Sequence, residues 1–206
     1  MTGSSFYRVA RAAFRVLALP LFRFKVEGAE RIPATGPGIV VALHRSWLDP
    51  ACVGGACPRP VSFLMQRDVY HKRWGRWFYR RMGAIPVPLG GTPSVEALKA
   101  AVRCLEGGEI LGIFPEGGIV GKGTQATFHR GAAHLAVRCL APVIPVAIHG
   151  SAEAWPHGRK WPTPARVSVR FHPPIRPPAG LEGREAVEEL MRRTRLALGD
   201  SAEGLP

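Results

Sequence analysis

Residues 38–50 read GIVVALHRSWLDP, and this stretch sets the interpretation of the rest of the chain. Its first part, Gly38–Leu43, is a short apolar run of the kind found in strands that are buried on both faces. The run ends directly in His44, and Asp49 follows five residues later. Open α/β sheets bind ligands beyond the carboxyl ends of their strands. The stretch therefore predicts a buried strand that presents His44 and Asp49 at the carboxyl edge of a sheet.

Similar strands alternate with helices along the chain. The patterns predict further strands at residues 22–26, 61–65, 84–87, 110–114, 143–148 and 167–171. They predict helices at residues 66–82, 93–105, 129–139 and 183–197. Because this alternation is typical of α/β proteins, we expect a single α/β domain with a mostly parallel, mixed sheet flanked by helices.

Length and composition exclude two broad classes of protein. The chain has 206 residues, of which 46% are apolar and 21% are charged, and this balance excludes wholesale disorder. Its longest apolar runs fall well short of the ~20 residues that a membrane-spanning helix needs, which excludes a polytopic membrane protein.

The 4 cysteines form no CxxC pair and lack zinc-ligand spacing. We therefore expect buried thiols in a reducing compartment and no bound metal.

The charge balance is strongly basic. Lys and Arg number 28 against 15 Asp and Glu, which gives a net charge of +13. Such an excess favours polyanionic partners, namely nucleic acid, anionic lipid or phosphorylated metabolites.

The amino-terminal segment, residues 6–24, has the pattern of a basic amphipathic helix that Pro20 ends or kinks. Apolar side chains recur at helical spacing at Phe6, Val9, Ala13, Leu17 and Leu21, and Arg8, Arg11 and Arg15 recur on another face. One interpretation is a surface helix docked on its own domain. The other is an interfacial helix, with its apolar face in lipid and its arginines at the phosphates. The interrupting arginines argue against a signal peptide.

A second basic and aromatic segment, residues 66–82, reads QRDVYHKRWGRWFYRRM. Aromatic rings interleaved with arginines are typical of a membrane interface. A core-packing aromatic helix with a solvated basic face, or a nucleic-acid patch, would show the same composition. No recognised nucleic-acid motif accompanies the segment, so we expect no nucleic acid as a partner.

His44 and Asp49 are the first candidates for chemistry. A carboxylate beside the imidazole would set its tautomer, stabilise its protonated form and leave the other ring nitrogen free as a general base. A purely structural His–Asp hydrogen bond would have the same spacing. A second polar signal follows the strand predicted at 110–114, where Glu116 lies in the turn FPEGG, residues 114–118. Arg130 follows near a predicted helix start, where backbone N–H groups favour anions.

Together these residues resemble the phospholipid and glycerol acyltransferase family, of the lysophosphatidic acid acyltransferase type. Its blocks NHxSxxD, GxIxxxR, FPEGTRS, an FKxG-like helix start and PV(I/V)PV(A/G) match residues 38–150 in order and spacing. The matching segments are 44–49 (HRSWLD), 83–87 (GAIPV), 114–117 (FPEG), 128–131 (FHRG) and 142–146 (PVIPV).

The resemblance implies a role for each matched residue. His44 is the general base, Asp49 orients and supports it, and no acyl-enzyme forms. The implied substrate-binding residues are Phe114, Pro115, Glu116, Gly117, Arg67, Lys122 and Arg130. No cofactor is implied, because acyl-CoA or an acyl carrier protein is the co-substrate.

The resemblance also implies a place and a substrate. Residues 1–21 are expected to be a membrane-associating helix and residues 22–206 the acyltransferase domain. The enzyme would lie on the cytoplasmic face of the cell membrane, peripheral or monotopic, at an anionic phospholipid surface. It would move an acyl chain from the thioester to a lysophospholipid hydroxyl, foremost from 1-acylglycerol-3-phosphate to phosphatidic acid.

The sequence departs from the family blocks at three positions, two of which concern the acceptor. Leu43 replaces the Asn before the histidine, and Leu89 and Ile119 replace arginines that contact phosphate. A lost charge-assisted contact of this kind costs about 1.5–3 kcal/mol. Either Lys122, Arg130 or Arg67 substitutes, with Arg130 the first candidate and Lys122 the second, or the acceptor is another lipid without a phosphomonoester. A non-catalytic lipid-binding protein of the same fold is the remaining alternative.

Overall fold

The computed structural model describes residues 4–72, 75–88, 94–120, 128–156 and 158–199. Strands in this part of the chain are β1 (Lys25–Glu27), β2 (Gly38–Ala42), β3 (Val61–Gln66), β4 (Ile85–Val87), β5 (Ile110–Ile113), β6 (Val143–His149) and β7 (Ser168–Phe171). The helices are α1 (Ser4–Phe22), α2 (Asp49–Ala56), α3 (Arg67–Tyr70), α4 (Gly75–Arg81), α5 (Val95–Glu106), α6 (Gly131–Cys139), α7 (Ser151–Ala154) and α8 (Gly183–Gly199), with a 3₁₀ turn at Ala29–Arg31.

The strands form one 7-stranded sheet in the order β1-β7-β6-β2-β5-β3-β4. β2 lies at its centre and pairs in parallel with β5 and β6, so that Ile39 is flanked by Leu111 and Val143. β6 and β7 are antiparallel, and the other neighbouring strands are parallel. The predicted α/β domain with a mostly parallel, mixed sheet is confirmed.

Alternate residues of β2 face two different helix layers, because side chains of a strand alternate between its faces. Val40 and Ala42 lie in the core that includes residues of α1 and α2. Ile39 and Val41 lie in the core that includes residues of α5, α6 and α8. All these positions of the central strand are buried, as its continuous apolar run predicted.

The predicted strands are all present, with small differences at their ends. The largest difference is at β1, predicted at residues 22–26 and found at Lys25–Glu27, because α1 continues to Phe22. The prediction of one continuous helix at residues 66–82 was wrong, because this segment contains two separate short helices, α3 and α4. α2 was not predicted at all.

α2 escaped prediction because its eight residues, DPACVGGA, contain two glycines and a proline, which are poor helix formers. The glycines serve tertiary packing instead. A Cβ on Gly55 would overlap the ring of Phe14, and a Cβ on Gly54 would lie 3.2 Å from the Tyr7 hydroxyl oxygen. α1 therefore approaches α2 more closely than larger side chains would allow.

α1 is docked on the domain by a face that differs from the predicted one. Tyr7 is 1% exposed, and its hydroxyl accepts from the Val61 N–H at 3.1 Å. Arg11 Nη1 donates to the carbonyl oxygens of Cys57 and Pro58 at 2.8 and 2.7 Å, so this arginine does not face outward as expected. Pro20 lies inside the helix, which ends two residues later. Among the described helices, none has the length and apolar character needed to cross a bilayer.

Candidate active site

The carboxyl ends of three adjacent strands bring the predicted site together. His44 follows β2, Phe114 follows β5, and Gln66 is the last residue of β3. These strands are parallel neighbours in the order β2-β5-β3, so their carboxyl ends meet at one edge of the sheet. The site lies where open α/β sheets place their ligands.

His44 and Asp49 form a hydrogen-bonded pair. His44 Nδ1 lies 3.0 Å from Asp49 Oδ2, and the Asp49 side chain is 0% exposed against 14% for His44. An ionised carboxylate only accepts hydrogen bonds, so Nδ1 carries the proton in this contact and Nε2 keeps its lone pair. This is the arrangement that a general base requires.

A tight turn from His44 to Asp49 holds the pair in place. The backbone N–H groups of Arg45 and Ser46 both donate to Asp49 Oδ2 at 2.7 Å. The buried Ser46 hydroxyl donates to the carbonyl oxygen of Trp155 at 2.9 Å and accepts from the Leu48 N–H at 3.2 Å. Asp49 is also the first residue of α2, where a negative charge is favoured by the helix dipole. The Ser46 hydroxyl thereby fastens the turn to Trp155, the residue that follows α7.

The turn after β5 packs directly on the imidazole. The rings of Phe114 and His44 are stacked with centroids 4.3 Å apart and an interplanar angle of 23°. Glu116 Oε1 accepts a hydrogen bond from the His44 backbone N–H at 3.1 Å. Glu116 Oε2 is buried without a hydrogen-bond partner among the described residues, and burial raises the pKa of this carboxyl. The ends of β2 and β5 are thus joined to one another at the His44 ring.

Three further contacts shape the Phe114–Gly117 turn. Gly117 has a φ of 72°, which favours glycine, and its N–H donates to the Phe114 carbonyl oxygen at 3.1 Å. Gln66 Nε2 donates to the Gly117 carbonyl oxygen at 2.7 Å. The His129 N–H donates to the carbonyl oxygen of Pro115 at 3.0 Å. The segment before α6 therefore lies against this turn.

The predicted basic residues have different surroundings. Arg67 is exposed and opens α3, immediately after Gln66. Arg130 is turned toward α8, where its Nη1 lies 3.7 Å from Glu188 Oε1. Lys122 and Leu89 lie outside the described residues. Ile119 is half-buried beside Val120, whose N–H donates to the His44 carbonyl oxygen at 2.9 Å.

Sequence reasoning missed three residues that contact the site. Ser46 was set aside because it need not be a nucleophile, yet it anchors the His44 turn. Gln66 supports Gly117, and the His129 ring approaches the same glycine, with Cδ2 and Nε2 3.9 Å from the position of a Cβ there. The family blocks themselves contain the Ser, and the other two residues have no local signal. Within the described ranges, no three His, Cys, Asp or Glu side chains cluster as metal ligands.

Comparison with known proteins identifies the family. The sequence pattern of the family described as Acyltransferase matches residues 23–149. The chain is 27% identical over 145 residues to the 1-acyl-sn-glycerol-3-phosphate acyltransferase of Bacillus subtilis, covering 70% of this chain and 71% of that protein. It is also 27% identical over 156 residues to 1-acyl-sn-glycerol-3-phosphate acyltransferase alpha of Mus musculus, covering 74% of this chain but 55% of the mouse protein.

A solved structure extends this likeness to the fold. The 1-acyl-sn-glycerophosphate (LPA) acyltransferase PlsC from Thermotoga maritima superposes with a TM-score of 0.77 at 25% identity, covering 99% of this chain and 81% of that chain. The family pattern covers more than half of the chain and includes the whole His44–Glu116 region. The chain therefore belongs to the acyltransferase family and is an acyltransferase enzyme.

Proposed function

We propose that this acyltransferase moves an acyl chain from a thioester donor, acyl-CoA or acyl carrier protein, to a lysophospholipid hydroxyl. The foremost acceptor is 1-acylglycerol-3-phosphate, the substrate named for the relatives from Bacillus subtilis and mouse. The observation that carries the proposal is the 3.0 Å contact between His44 Nδ1 and the buried Asp49 carboxylate, which leaves Nε2 as a base.

The reaction follows from that geometry. His44 Nε2 takes the proton of the acceptor hydroxyl while the hydroxyl oxygen attacks the thioester carbonyl carbon. The C–O bond forms, the C–S bond breaks, and the imidazolium returns its proton to the leaving thiolate. Asp49 stabilises the imidazolium between these two transfers.

The proposed reaction includes no covalent acyl-enzyme intermediate. The cysteine of α2, Cys52, lies fully buried in the helix that Asp49 opens. Burial and the nearby Asp49 charge both raise the pKa of the Cys52 thiol, so its nucleophilic thiolate form is disfavoured at neutral pH. The acceptor oxygen therefore attacks the donor directly.

The acceptor is placed by the turn after β5. Glu116 holds the end of β2 through its backbone contact with His44, and Phe114, Pro115 and Gly117 form the surface beside the imidazole. Arg67 is our first candidate for the acceptor phosphate, because Gln66 beside it already contacts the turn. Lys122 remains a second candidate. Arg130 would have to leave Glu188 to take part.

A lipid surface is the proposed place of reaction. The outer face of α1 exposes large apolar side chains, with Val9 67%, Val16 70% and Leu17 69% exposed. At the start of the same helix, the Phe6 ring contacts the rings of Trp77 and Phe78 on α4, and the Arg81 guanidinium lies 4.5 Å from the Trp77 ring centroid. Exposed aromatic and apolar side chains beside arginines suit the headgroup region of a bilayer. We accordingly place the enzyme peripherally on the cytoplasmic face of the membrane.

Purified enzyme tests the function directly. Thioester-dependent acylation should be measured over a panel of lysolipids, with His44→Ala as the inactive control. The proposal expects lysophosphatidic acid to be acylated and the variant to be inactive on every acceptor. The half-buried Ile119, which replaces a phosphate-binding arginine of the family pattern, favours one alternative: acylation only of acceptors that lack a phosphomonoester. Wild-type protein that acylates nothing in the panel would contradict both.

A further inference from the structure

A groove of about 540 Å³ lies between the start of α6 and the last turns of α8. Its lining includes Phe128, Arg130, Glu188, Met191, Arg192 and Arg195. Three guanidinium groups thus face one carboxylate across a space with apolar walls. The volume falls in the range of about 300–1,000 Å³ that is usual for small-molecule sites.

The arginines around the groove outnumber the carboxylates that they contact. Glu188 is shared between Arg130, at 3.7 Å, and Arg184, at 2.8 Å. Glu189 is likewise shared between Arg192 and Arg193, at 2.8 and 2.7 Å. Exposed ion pairs of this kind contribute little stabilising free energy, so a phosphate oxygen can replace a carboxylate oxygen beside an arginine with little loss of stability.

Arg195 presents its charge beside an aromatic ring. Its guanidinium carbon lies 5.3 Å from the centroid of Phe128, and its Nη2 donates to the Phe128 carbonyl oxygen at 3.4 Å. An aromatic face beside cations suits a ligand that combines a flat base with phosphates, because the base stacks and the guanidinium binds phosphate oxygens.

The groove adjoins the active site but opens on the helix layer opposite the lipid-facing surface. Phe128 and Arg130 flank His129, whose N–H is bonded to Pro115 in the turn beside His44. The groove helices α6 and α8 cover one face of the sheet, and α1 and α2 cover the other. With α1 on the membrane, as proposed, a ligand in the groove would approach from water and the lipid acceptor from the bilayer.

We propose that this groove binds the phosphorylated nucleotide end of coenzyme A, the soluble part of the acyl donor. The inference rests on the proposed function, because it assigns the donor of that same reaction. The base stacks on the Arg195 guanidinium, which lies over the core-packed Phe128 ring. The phosphates contact Arg130, Arg192 and the edge of the same guanidinium, and the pantetheine arm runs past His129 toward His44. A carrier protein would instead need roughly 800 Å² of docking surface on each partner, which a small groove does not supply.

Calorimetry on the intact protein tests the site without requiring turnover. Adenosine 3′,5′-bisphosphate, a fragment of coenzyme A, should bind the wild type. Arg195→Gln should weaken its binding about tenfold or more, as expected for a lost charge-assisted contact. Arg138→Gln is the matched control, because it removes the same charge from the far end of α6. Thermal unfolding of both variants establishes that they are folded.

Kinetics then connect the groove with the donor. Arg195→Gln should raise the KM for acyl-CoA, leaving kcat, the KM for the lysolipid and the KM for an acyl-pantetheine thioester, which lacks the nucleotide, unchanged. No binding of the bisphosphate, or equal losses in Arg195→Gln and Arg138→Gln, would overturn the proposal. So would an effect confined to acyl carrier protein. Nucleotide binding by a protein that acylates no lipid would instead overturn the proposed function and leave the nucleotide site standing.

Discussion

Two buried carboxylates meet at His44, and their surroundings differ. Asp49 Oδ2 receives three donors, from the imidazole and two backbone N–H groups, in a fully buried position. Glu116 receives one backbone donor on Oε1. Each carboxylate also keeps one buried oxygen, Asp49 Oδ1 and Glu116 Oε2, without a hydrogen-bond partner among the described residues. The first environment fixes the Asp49 carboxylate beside His44 Nδ1. The second raises the pKa of Glu116 and suits a group whose charge awaits a polar ligand.

The proposed role of His44 as general base gives the first prediction. His44→Ala should lower kcat by about 10²–10⁴-fold with the fold retained, because general-base catalysis contributes that much. Asp49→Asn should lose somewhat less, since the amide oxygen can still accept from Nδ1 but stabilises the imidazolium less. Cys52→Ala should keep its kcat, because the proposed reaction forms no acyl-enzyme. Steady-state kinetics on purified variants measure all three, and near-normal turnover in His44→Ala would refute the mechanism.

The raised pKa of Glu116 gives a second prediction, on stability against pH. A carboxyl whose folded pKa lies above its ordinary value of 4.5 favours folding below pH 4.5, and this contribution is lost as pH rises through the folded pKa. Glu116→Gln keeps an acceptor for the His44 N–H but cannot ionise. The free energy of unfolding of the wild type, relative to this variant, should therefore increase from neutral pH toward pH 4.5.

Chemical denaturation at several pH values checks this expectation. Lys and Arg partners lower the pKa values of Glu27, Glu188 and Glu189, so these groups lose their stabilising contribution as the pH falls. These groups are the same in the wild type and the variant. They cancel in the comparison. A difference between the two proteins that is constant over the pH range would show that burial of Glu116 does not shift its ionisation.

Among the elements, the contact between α1 and α2 depends on glycine. Gly55→Ala should destabilise the fold by about 1–3 kcal/mol, the usual cost of overpacking, because the added Cβ overlaps the Phe14 ring. Gly131→Ala, at the start of α6, has no atom within 4 Å of its Cβ and should leave stability unchanged or slightly raised. Urea denaturation measures both. Equal stability of the two variants would mean that α1 is not held closely on α2.

How far the sequence predicts these elements depends on how local their causes are. The strands and the His44–Asp49 turn were predictable, because apolar runs and the residues that follow them are adjacent in the chain. α2 was not, since its glycines are explained only by α1 packing on them. The contact between Arg130 and Glu188 was not predictable either, because Glu188 lies on α8, far from Arg130 in the sequence.

At the scale of the whole molecule, the two faces of the sheet have different surfaces. The α1 side exposes Val9, Val16 and Leu17, and the α8 side carries the arginine groove. A net charge of +13 favours binding of the whole protein to anionic surfaces, and in the proposed membrane location the exposed apolar residues of α1 determine which face contacts lipid.

The exposed apolar face of α1, which includes Val16 and Leu17 and is proposed to contact lipid, gives a further prediction. Changing both Val16→Ser and Leu17→Ser should weaken cosedimentation with anionic vesicles at least about tenfold, because the apolar area that enters the bilayer is lost. Leu140→Ser is the control, since Leu140 is 79% exposed at the amino edge of the sheet, away from α1. These substitutions are preferable to removing residues 1–20, which would uncover the buried contacts of Tyr7.

Electrostatics contribute separately to the same binding. Neutralising Arg76, Arg80 and Arg81 should weaken vesicle binding by about 1 kcal/mol for each cation near the surface, and added salt should reduce the effect. If neither salt nor the apolar substitutions change vesicle binding, α1 and α4 do not contact the membrane and serve only to stabilise the fold.

The pairing of β1 with β7 bears on the order in which the molecule is assembled during translation. Glu27 and Arg170, which join these strands by an ion pair, are 143 residues apart. A ribosome releases the amino end first, so β1 has no partner until most of the chain has been synthesised. The first helix and its seat on Gly54, Gly55 and Cys57 emerge much earlier. α1 can therefore dock on α2 before the sheet is complete, and a nascent chain that binds a bilayer through α1, as proposed, would finish folding at that surface.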